Sequence, residues 1–392
     1  MQKVLLVAAV FITALSRLGY AQTTTNPDIS FIGDFRAAWQ DAKNSADKGK
    51  TNFDLHELEL AASGHLNPYA RADLNISFGA EGVDLEEAYI TVLRGLPGGL
   101  QLKAGKYLVD FGKLNTQHPH QWLWLERPLM YRTLFGEEGW KDAGVQLNTL
   151  LPVGKQALGL SANWIQSGGL ITEEDSELPY TPERTEPAAS GRVSIFSPVS
   201  EFSNLELGIS GMRAQFNPVA IEFQSIPAAS NSTDLPLADF TPEKRYSFAT
   251  AVDGKWKWKP DNYNGIQIVG EYVTQTRKLQ DVAAIEHAMP GAGDTTYTVE
   301  NRLVTSHGAF LAGELRFRRR FDVGAFYDYA QAATSKDEFQ SGYGVYGAFS
   351  IAEETTRFGL VLRRNETMGA DPYHTATFQI LWSLGPHKAH TF

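Results

Sequence analysis

Hydrophobic and polar residues alternate along most of this chain, in segments of roughly ten residues. In residues 70–78 every second position is apolar, and the positions between hold Arg71, Asp73, Asn75 and Ser77. Successive side chains of a β-strand point to opposite faces, so this period predicts strands with one apolar and one charged face. Alternation of this length, with charges on the polar face, is typical of an antiparallel transmembrane β-barrel.

The connections between these segments predict the number of strands. Short turns and long polar loops take turns along the chain, as expected where one rim carries periplasmic turns and the other carries outer loops. The short turns are Asn67–Pro68, Pro97–Gly99, Pro152–Lys155, Ser197–Ser200, Lys259–Asn262, Arg319–Phe321 and Ala352–Glu354. The long loops lie at about 109–140, 168–188, 214–243, 279–301 and 332–339. We expect an all-β fold, an antiparallel transmembrane β-barrel of about 16 strands with short periplasmic turns and long outer loops.

The first residues have the organisation of a secretory signal peptide. Lys3 precedes an apolar run from Val4 to Leu15, which is too short to span a bilayer as a stable helix. Small residues around Ala21 suit signal peptidase, so we expect residues 1–21 to be removed and residues 22–392 to form a barrel in the bacterial outer membrane. An uncleaved N-terminal anchor is the alternative.

Composition narrows the class of partner. The formal net charge is −10, and it becomes −12 when Lys3 and Arg17 leave with the signal peptide, which argues against binding of polyanionic nucleic acid. The sequence holds no cysteine, which excludes disulfide bridges and thiolate metal sites. A mean hydropathy of −0.26 suits a barrel, because alternate residues of each strand face lipid and water.

Aromatic residues fall near the ends of the predicted strands, where amphipathic rings prefer the level of the lipid headgroups. We expect Trp39, Trp164 and Tyr246 at the outer rim and Trp256, Trp258 and Trp382 at the inner rim. The last alternating segment ends near Leu384 and the chain ends at Phe392. This ending is similar to the signal read by the outer-membrane assembly machinery, although a short tail separates the strand from the terminal Phe.

A run of ordered motifs follows the fourth predicted strand. Gly105-Lys106-Tyr107 is followed by Asp110-Phe111-Gly112-Lys113-Leu114-Asn115 and then by Leu125-Glu126-Arg127-Pro128-Leu129. This stretch of about forty-five residues resembles the phosphate-selective porin (O/P) family and related porin-like proteins. The resemblance implies a sixteen-stranded outer-membrane channel, often a homotrimer, with a constricting loop after the fifth strand. It implies passive passage of small hydrophilic solutes or ions, including anions such as phosphate, although this acidic chain departs from a pore lined by arginine and lysine.

The loop at 109–140 therefore holds most of the candidate site residues. A loop folded into the lumen would place its charges in a narrow passage where they act strongly on solutes. The predicted constriction residues are Lys103, Lys113, His118, His120, Glu126, Arg127 and Arg132. The predicted inward-facing pore-wall residues are Arg36, Arg71, Asp73, Glu87 and Arg363. The alternative for each of them is a solvated lumen charge that pairs with a neighbour.

The sequence gives little sign of metal or catalytic chemistry. His118-Pro119-His120 supplies at most half of a metal site, and no carboxylate lies within two residues, so we expect no metal and no cofactor. Ser63 and His65 share a strand face, which is a common accident. No phosphate loop, dinucleotide fingerprint or nucleophile elbow occurs, and we expect no enzyme.

Two other functions are alternatives to a pore. An energised receptor for metal or siderophore needs a plug domain, and the first strand begins too soon after the predicted cleavage site to leave room for one. A structural barrel without conductance is the second alternative, and the sequence leaves it open.

Overall fold

The computed structural model describes residues 27–80, 82–167, 170, 182–184, 186–218, 245–285, 296–351 and 355–385. The predicted signal peptide and the terminal Phe392 lie outside these ranges. Within them the chain is nearly all strand, and no described helix is long and apolar enough to cross a membrane. The strands are β1 (Asp28–Gln40), β2 (Thr51–Asn67), β3 (Ala70–Gly79), β4 (Gly82–Val92), β5 (Gln101–Leu108), β6 (Lys141–Val153), β7 (Gln156–Ile165), β8 (Pro182–Arg184), β9 (Ala188–Ser200), β10 (Ser203–Pro218), β11 (Arg245–Trp258), β12 (Gly265–Ile285), β13 (Thr296–Phe317), β14 (Phe321–Gln331), β15 (Phe339–Ser350), β16 (Thr356–Thr367) and β17 (Tyr373–Leu384).

The strands close into one antiparallel barrel. Each wall strand pairs with its neighbours along the chain, and β1 pairs with both β2 and β17, so the described wall has no free edge. The short strand β8 extends the outer end of β10 and is not part of the wall, since β7 pairs directly with β9. The predicted barrel of about 16 strands is confirmed.

The alternation sorts side chains between the outside and the inside of the wall. Ile209 and Val252 point outward and remain 62% and 55% exposed, while their neighbours Ser210 and Asp253 point inward and are buried. The inner face of β11–β16 departs from the expected polarity, because Val273, among others, is apolar and buried there. These inward apolar side chains pack against a loop that fills part of the lumen.

Two predicted connections differ from the structure. The turn expected at Ser197–Ser200 falls after Ser200, where β9 ends and β10 begins at Ser203. The loop expected at 279–301 is largely strand, because β12 and β13 stay paired out to Ile285 and Thr296. A strand whose backbone is paired by its neighbour can continue beyond the bilayer with polar side chains, which alternation alone did not reveal.

Candidate pore constriction

The segment 109–140 between β5 and β6 folds into the barrel and forms a small hydrophobic core there. It contains a short 3-10 helix (Pro119–Gln121) and one α-helix, α1 (Leu129–Phe135). The side chains of Phe111, Met130, Phe135 and Trp140 have no exposed surface. We call residues 109–140 the inner loop. A loop on the outer surface could not bury so much apolar area, so the barrel wall supplies the other half of this core.

Wall carboxylates on the far side of the barrel hold the inner loop by its backbone. The Oε2 atom of Glu271, on β12, accepts hydrogen bonds from the backbone N–H groups of Lys113 and Leu114, each at 3.1 Å. Asp328, on β14, accepts the N–H of Leu129 with both oxygens at 3.0 Å. Charge-assisted bonds of this kind are about twice as strong as neutral ones, so they fix the loop across the lumen.

Asn115 joins the two ends of the inner loop. Its side-chain nitrogen donates to the carbonyl oxygens of Val109 and Trp140, both at 2.8 Å, and its oxygen accepts the N–H of Trp140 at 2.9 Å. The side chain is completely buried. This amide therefore closes the loop at its base.

Gly112 occupies a position that no other residue fits. Its φ of +66° lies in the left-handed region, and a Cβ atom there would overlap the Glu271 carboxylate and the Tyr131 hydroxyl. Tyr131 donates its hydroxyl hydrogen to Glu271, so the glycine leaves room for this contact. Gly112 and Asn115 belong to the motif that carried the family resemblance, and both shape the inner loop.

The predicted constriction residues lie around this loop in different environments. Lys113 pairs with Glu206 of β10 at 2.7 Å. Arg132 pairs with Glu137 at 2.6 Å and with Glu126 at 3.4 Å. These three ion pairs are only partly buried, so their charges reach the water of the lumen.

Arg127 and Lys103 are less exposed to the lumen than the sequence predicts for residues of a constriction. Arg127 is 7% exposed and lies over the ring of Trp122, and burial lowers the pKa of its guanidinium to about 10. Lys103 lies on the wall strand β5 and places its ammonium 4.5 Å from the centre of the Tyr89 ring. Both cations therefore pack against aromatic faces, which attract them.

The predicted wall residues all face the lumen, and three of them touch the inner loop. Arg36 donates to the carbonyl oxygen of Leu125 at 3.1 Å, and Arg363 pairs with Glu126 at 3.1 Å. Glu87 lies 3.1 Å from His118. The other two, Arg71 and Asp73, pair with each other at 2.9 Å on β3.

The two histidines of the inner loop lie against the acidic wall formed by β2 and β4. The Nδ1 atom of His118 is 3.0 Å from Glu86 and 3.6 Å from Glu59, and the Nδ1 atom of His120 is 3.2 Å from Glu59. Burial alone would lower the pKa of His118, but its contacts with Glu86 and Glu87 outweigh burial and raise that pKa well above the usual value. These carboxylates are far from the histidines along the sequence, and the fold brings them close in space.

A cavity of about 630 Å³ lies between the inner loop and strands β1–β4, on the side of the long loops. Its walls carry more carboxylates than permanent cations. The carboxylates are Asp54, Glu57, Asp84, Glu86, Glu126, Glu137 and Glu138, and the cations are Arg36, Arg127, Arg132 and Lys141. The cavity is therefore a polar space whose permanent charges have a negative excess.

Sequence reasoning missed the wall residues that contact the inner loop most directly. They are Glu86, Glu206, Glu271 and Asp328. Arg357, at a position of β16 that its alternation predicts to face inward, donates to the carbonyl oxygen of His120 at 2.9 Å. The alternation could have placed Glu271 and Asp328 on the inner face. No signal in the sequence said which inward residues meet the loop.

Comparison with known sequences gives a match over less than half of the chain. In a scan of protein families no family model matches the chain. An uncharacterized protein of Aquifex aeolicus (strain VF5) is 35% identical over 192 residues, which cover 42% of this chain. The chain matches only 40% of that relative's length.

Solved structures agree over nearly the whole chain at low sequence identity. An anion-selective porin from Comamonas acidovorans superposes with a TM-score of 0.54 and 9% identity, covering 92% of this chain and 99% of that one. The outer-membrane channel DcaP of Acinetobacter baumannii gives 0.53 and 12%, covering 94% and 100%. OprB of Pseudomonas putida gives 0.51 and 11%, covering 92% and 94%. The chain therefore has the porin-type barrel fold of bacterial outer-membrane proteins, while the phosphate-selective family stays a prediction.

Proposed function

We propose that this protein is a porin-like channel of the bacterial outer membrane that lets small hydrophilic solutes or ions diffuse passively. The observation that supports it most directly is the charged cavity between the inner loop and the wall of a closed barrel. The apolar outer face of the wall suits contact with outer-membrane lipid. The homotrimer, the assembly machinery as partner and the absence of catalysis stay predictions from the sequence.

The inner loop acts as the constriction in this proposal. It contacts wall strands on both sides of the barrel, from Glu87 on β4 to Asp328 on β14, so a solute must pass beside it. The side chains of Arg132, Glu126 and Glu137 are partly exposed and form one connected group. Charges in a narrow, partly dehydrated passage act more strongly on a passing ion than the same charges on an open surface.

The charges favour small cations or neutral solutes at the outer side of the constriction. Seven carboxylates and four permanent cations line the cavity there. The family resemblance favours anions such as phosphate instead. Exposed charges further away, in the outer loops, are screened over a Debye length of about 8 Å and contribute less than the cavity itself.

Conductance in planar bilayers tests the channel and its constriction. We expect measurable single-channel conductance, and a clear increase after deletion of residues 117–136, with the barrel still resistant to unfolding in a heat-modifiability gel. Unchanged conductance in a folded deletion variant would show that the inner loop does not limit passage. Reversal potentials in a salt gradient report the preferred sign of charge, and Glu137→Gln with Glu138→Gln should shift them toward anions.

A structural barrel without conductance is the second candidate. It is favoured by the hydrophobic core that the inner loop forms with inward apolar residues such as Val273 and Phe326. A porin needs only a narrow water path beside such a core, whereas a structural barrel needs none. Absence of conductance in both the wild type and the deletion variant would support the structural barrel and overturn the channel.

A further inference from the structure

Four potential metal-binding atoms converge where the inner loop meets strands β2 and β4. They are Nδ1 of His118, Nδ1 of His120, Oε2 of Glu59 and Oε2 of Glu86. The atoms of His118, Glu59 and Glu86 all lie within 4.8 Å of one another. Three separate elements contribute to the group, so its assembly depends on the fold and not on a local sequence motif.

The spacing of these atoms suits a tetrahedral ion. Ligand atoms about 2.1 Å from a zinc ion stand about 3.4 Å apart at the corners of a tetrahedron. In the structure the separations are 3.0 Å from His118 to Glu86, 3.6 Å from His118 to Glu59 and 3.2 Å from His120 to Glu59. Small side-chain movements would bring the atoms of His118, Glu59 and Glu86 into coordinating positions. The His120 atom, which lies beside Glu59, would have to move further to complete the tetrahedron.

A β-bulge in strand β4 makes the arrangement possible. Asn75 pairs with Glu87 and Ile76 pairs with Leu85, which leaves Glu86 as the extra residue. In a regular strand two consecutive residues point to opposite faces, but here both Glu86 and Glu87 reach His118. A bulge that turns a second carboxylate into the lumen is an irregularity that barrel closure does not require.

Glu87 also contacts His118, but it is not one of the four potential ligands. Its Oε2 atom is 3.1 Å from the Nε2 atom of His118, and its Oε1 atom accepts the backbone N–H of Leu108 at 3.0 Å. Metal-binding histidines typically donate a hydrogen bond from the N–H of the second ring nitrogen to a carboxylate in this way, which orients the ring. The contact leaves the Nδ1 atom of His118 directed toward Glu59 and Glu86.

The balance of charge and hydrogen bonding also favours a cation. Glu59, Glu86 and Glu87 bring three carboxylates to one imidazole. The Oε2 atom of Glu86 is shielded from solvent and lies 3.0 Å from the Nδ1 atom of His118. Burying several carboxylates together is costly unless cations balance them, and a divalent ion would add two positive charges at this point. Glu86 and His118 line the cavity, which gives an ion a route to the site.

We infer that Glu59, Glu86, His118 and His120 bind one divalent transition-metal ion of the zinc class, which ties the inner loop to the barrel wall. Two imidazole nitrogens and two carboxylate oxygens are ligands that zinc accepts in tetrahedral sites. The competing interpretation is a metal-free cluster in which a protonated His118 pairs with the carboxylates.

The experiment titrates chelator-treated, folded barrel in detergent with Zn²⁺ by calorimetry and repeats the titration with Co²⁺, whose visible absorption reports tetrahedral geometry. We expect one ion per chain and a tetrahedral cobalt spectrum. His118→Gln should weaken binding at least a hundredfold. Glu86→Gln replaces one carboxylate oxygen by an NH2 group and should weaken Zn²⁺ binding roughly tenfold to a hundredfold, as expected when a metal site is impaired.

His56→Gln is the matched control, because His56 lines the same cavity and lies 3.8 Å from Asp54, away from the four atoms. It should bind Zn²⁺ like the wild type. Absence of one-to-one binding, or equal affinity in the wild type and the folded His118→Gln and Glu86→Gln variants, would overturn the site in favour of the metal-free cluster. If His118→Gln does not fold, Glu86→Gln alone decides. The measurement is independent of conductance, so it stands whether or not the channel proposal holds.

Discussion

Asn115→Asp tests how the inner loop is held, because it changes the hydrogen bonding of Asn115 without changing its shape. The remaining oxygen can still accept the N–H of Trp140. The other oxygen replaces the amide nitrogen that donates to the carbonyl oxygens of Val109 and Trp140 at 2.8 Å. Two attractive contacts at the base of the loop therefore become contacts between acceptors.

The expected cost follows from these contacts. Two hydrogen bonds worth about 1 kcal/mol each are lost, and a buried carboxylate that faces carbonyl oxygens adds a further penalty. We expect the closed loop to lose about 2 to 4 kcal/mol at neutral pH relative to its open form. Since about 1.4 kcal/mol is a factor of ten, protection of the loop amides from hydrogen exchange should fall roughly thirtyfold to a thousandfold.

Acidification should restore part of this loss. A protonated carboxyl can donate to one of the two carbonyl oxygens, so the pKa of the introduced Asp is expected to rise in the folded protein above its unfolded value of about 3.9. A raised pKa means that the stabilisation is complete below the unfolded value and is lost as the pH rises through the folded value. The variant should therefore approach the wild type at low pH.

Hydrogen exchange measured by mass spectrometry on residues 109–140, relative to wild type at each pH, checks both expectations. Asn148→Asp is the control, because Asn148 also faces the lumen but its amide makes a weaker contact, with Gln146 at 3.4 Å. Equal protection in the two variants, or a defect in Asn115→Asp that does not shrink at low pH, would refute the role given to Asn115.

Two further predictions test the wall and the loop. Leu147 lies at an outward position of β6 and is 45% exposed. Leu147→Arg should lower the free energy of unfolding by roughly 2 to 4 kcal/mol in a denaturant titration of the barrel in lipid, whereas Asn148→Arg, at the neighbouring inward position, should be tolerated. Equal destabilisation by the two substitutions would contradict the assigned faces. Gly49→Ala, at φ +72° in open space, should lower the free energy of unfolding by about 1 to 2 kcal/mol. Gly112→Ala should lower it clearly more and should increase conductance, because its Cβ would displace Glu271. Equal effects of the two substitutions on stability and on conductance would contradict the packing around Gly112.

The wall of the barrel could be predicted from the sequence because it depends on local pattern. A two-residue period needs only neighbouring positions to be read, and it correctly placed Asn75 inside the barrel. The alternation failed where the inner face of the wall does not face water. Val273 and Phe326 are apolar on the inner face because they pack against the inner loop, and a period cannot show what lies opposite a strand.

The inner loop could be located from the sequence, but its contacts could not. Its length and its position after the fifth strand marked it as a candidate constriction, although the expected polar loop proved to be rich in buried apolar residues. The groups that hold it are far away along the chain, since Leu129 and Asp328 are 199 residues apart and Lys113 and Glu271 are 158 apart. Such contacts depend on how the closed barrel brings opposite strands together, and no local spacing encodes that.

The histidines show the same limit in its clearest form. The sequence argued against a metal at His118 and His120 because no carboxylate stands near them along the chain. In the structure Glu59 and Glu86 come from two strands that lie across from the inner loop, and the β-bulge at Glu86 adds a carboxylate that strict alternation would have pointed at lipid. A sequence rule that counts neighbours along the chain cannot detect such a cluster, because in a barrel side chains gather around a lumen and not along a strand. An irregularity in a strand that faces an inward-folded loop is the more informative signal, because the regular barrel has no need of it.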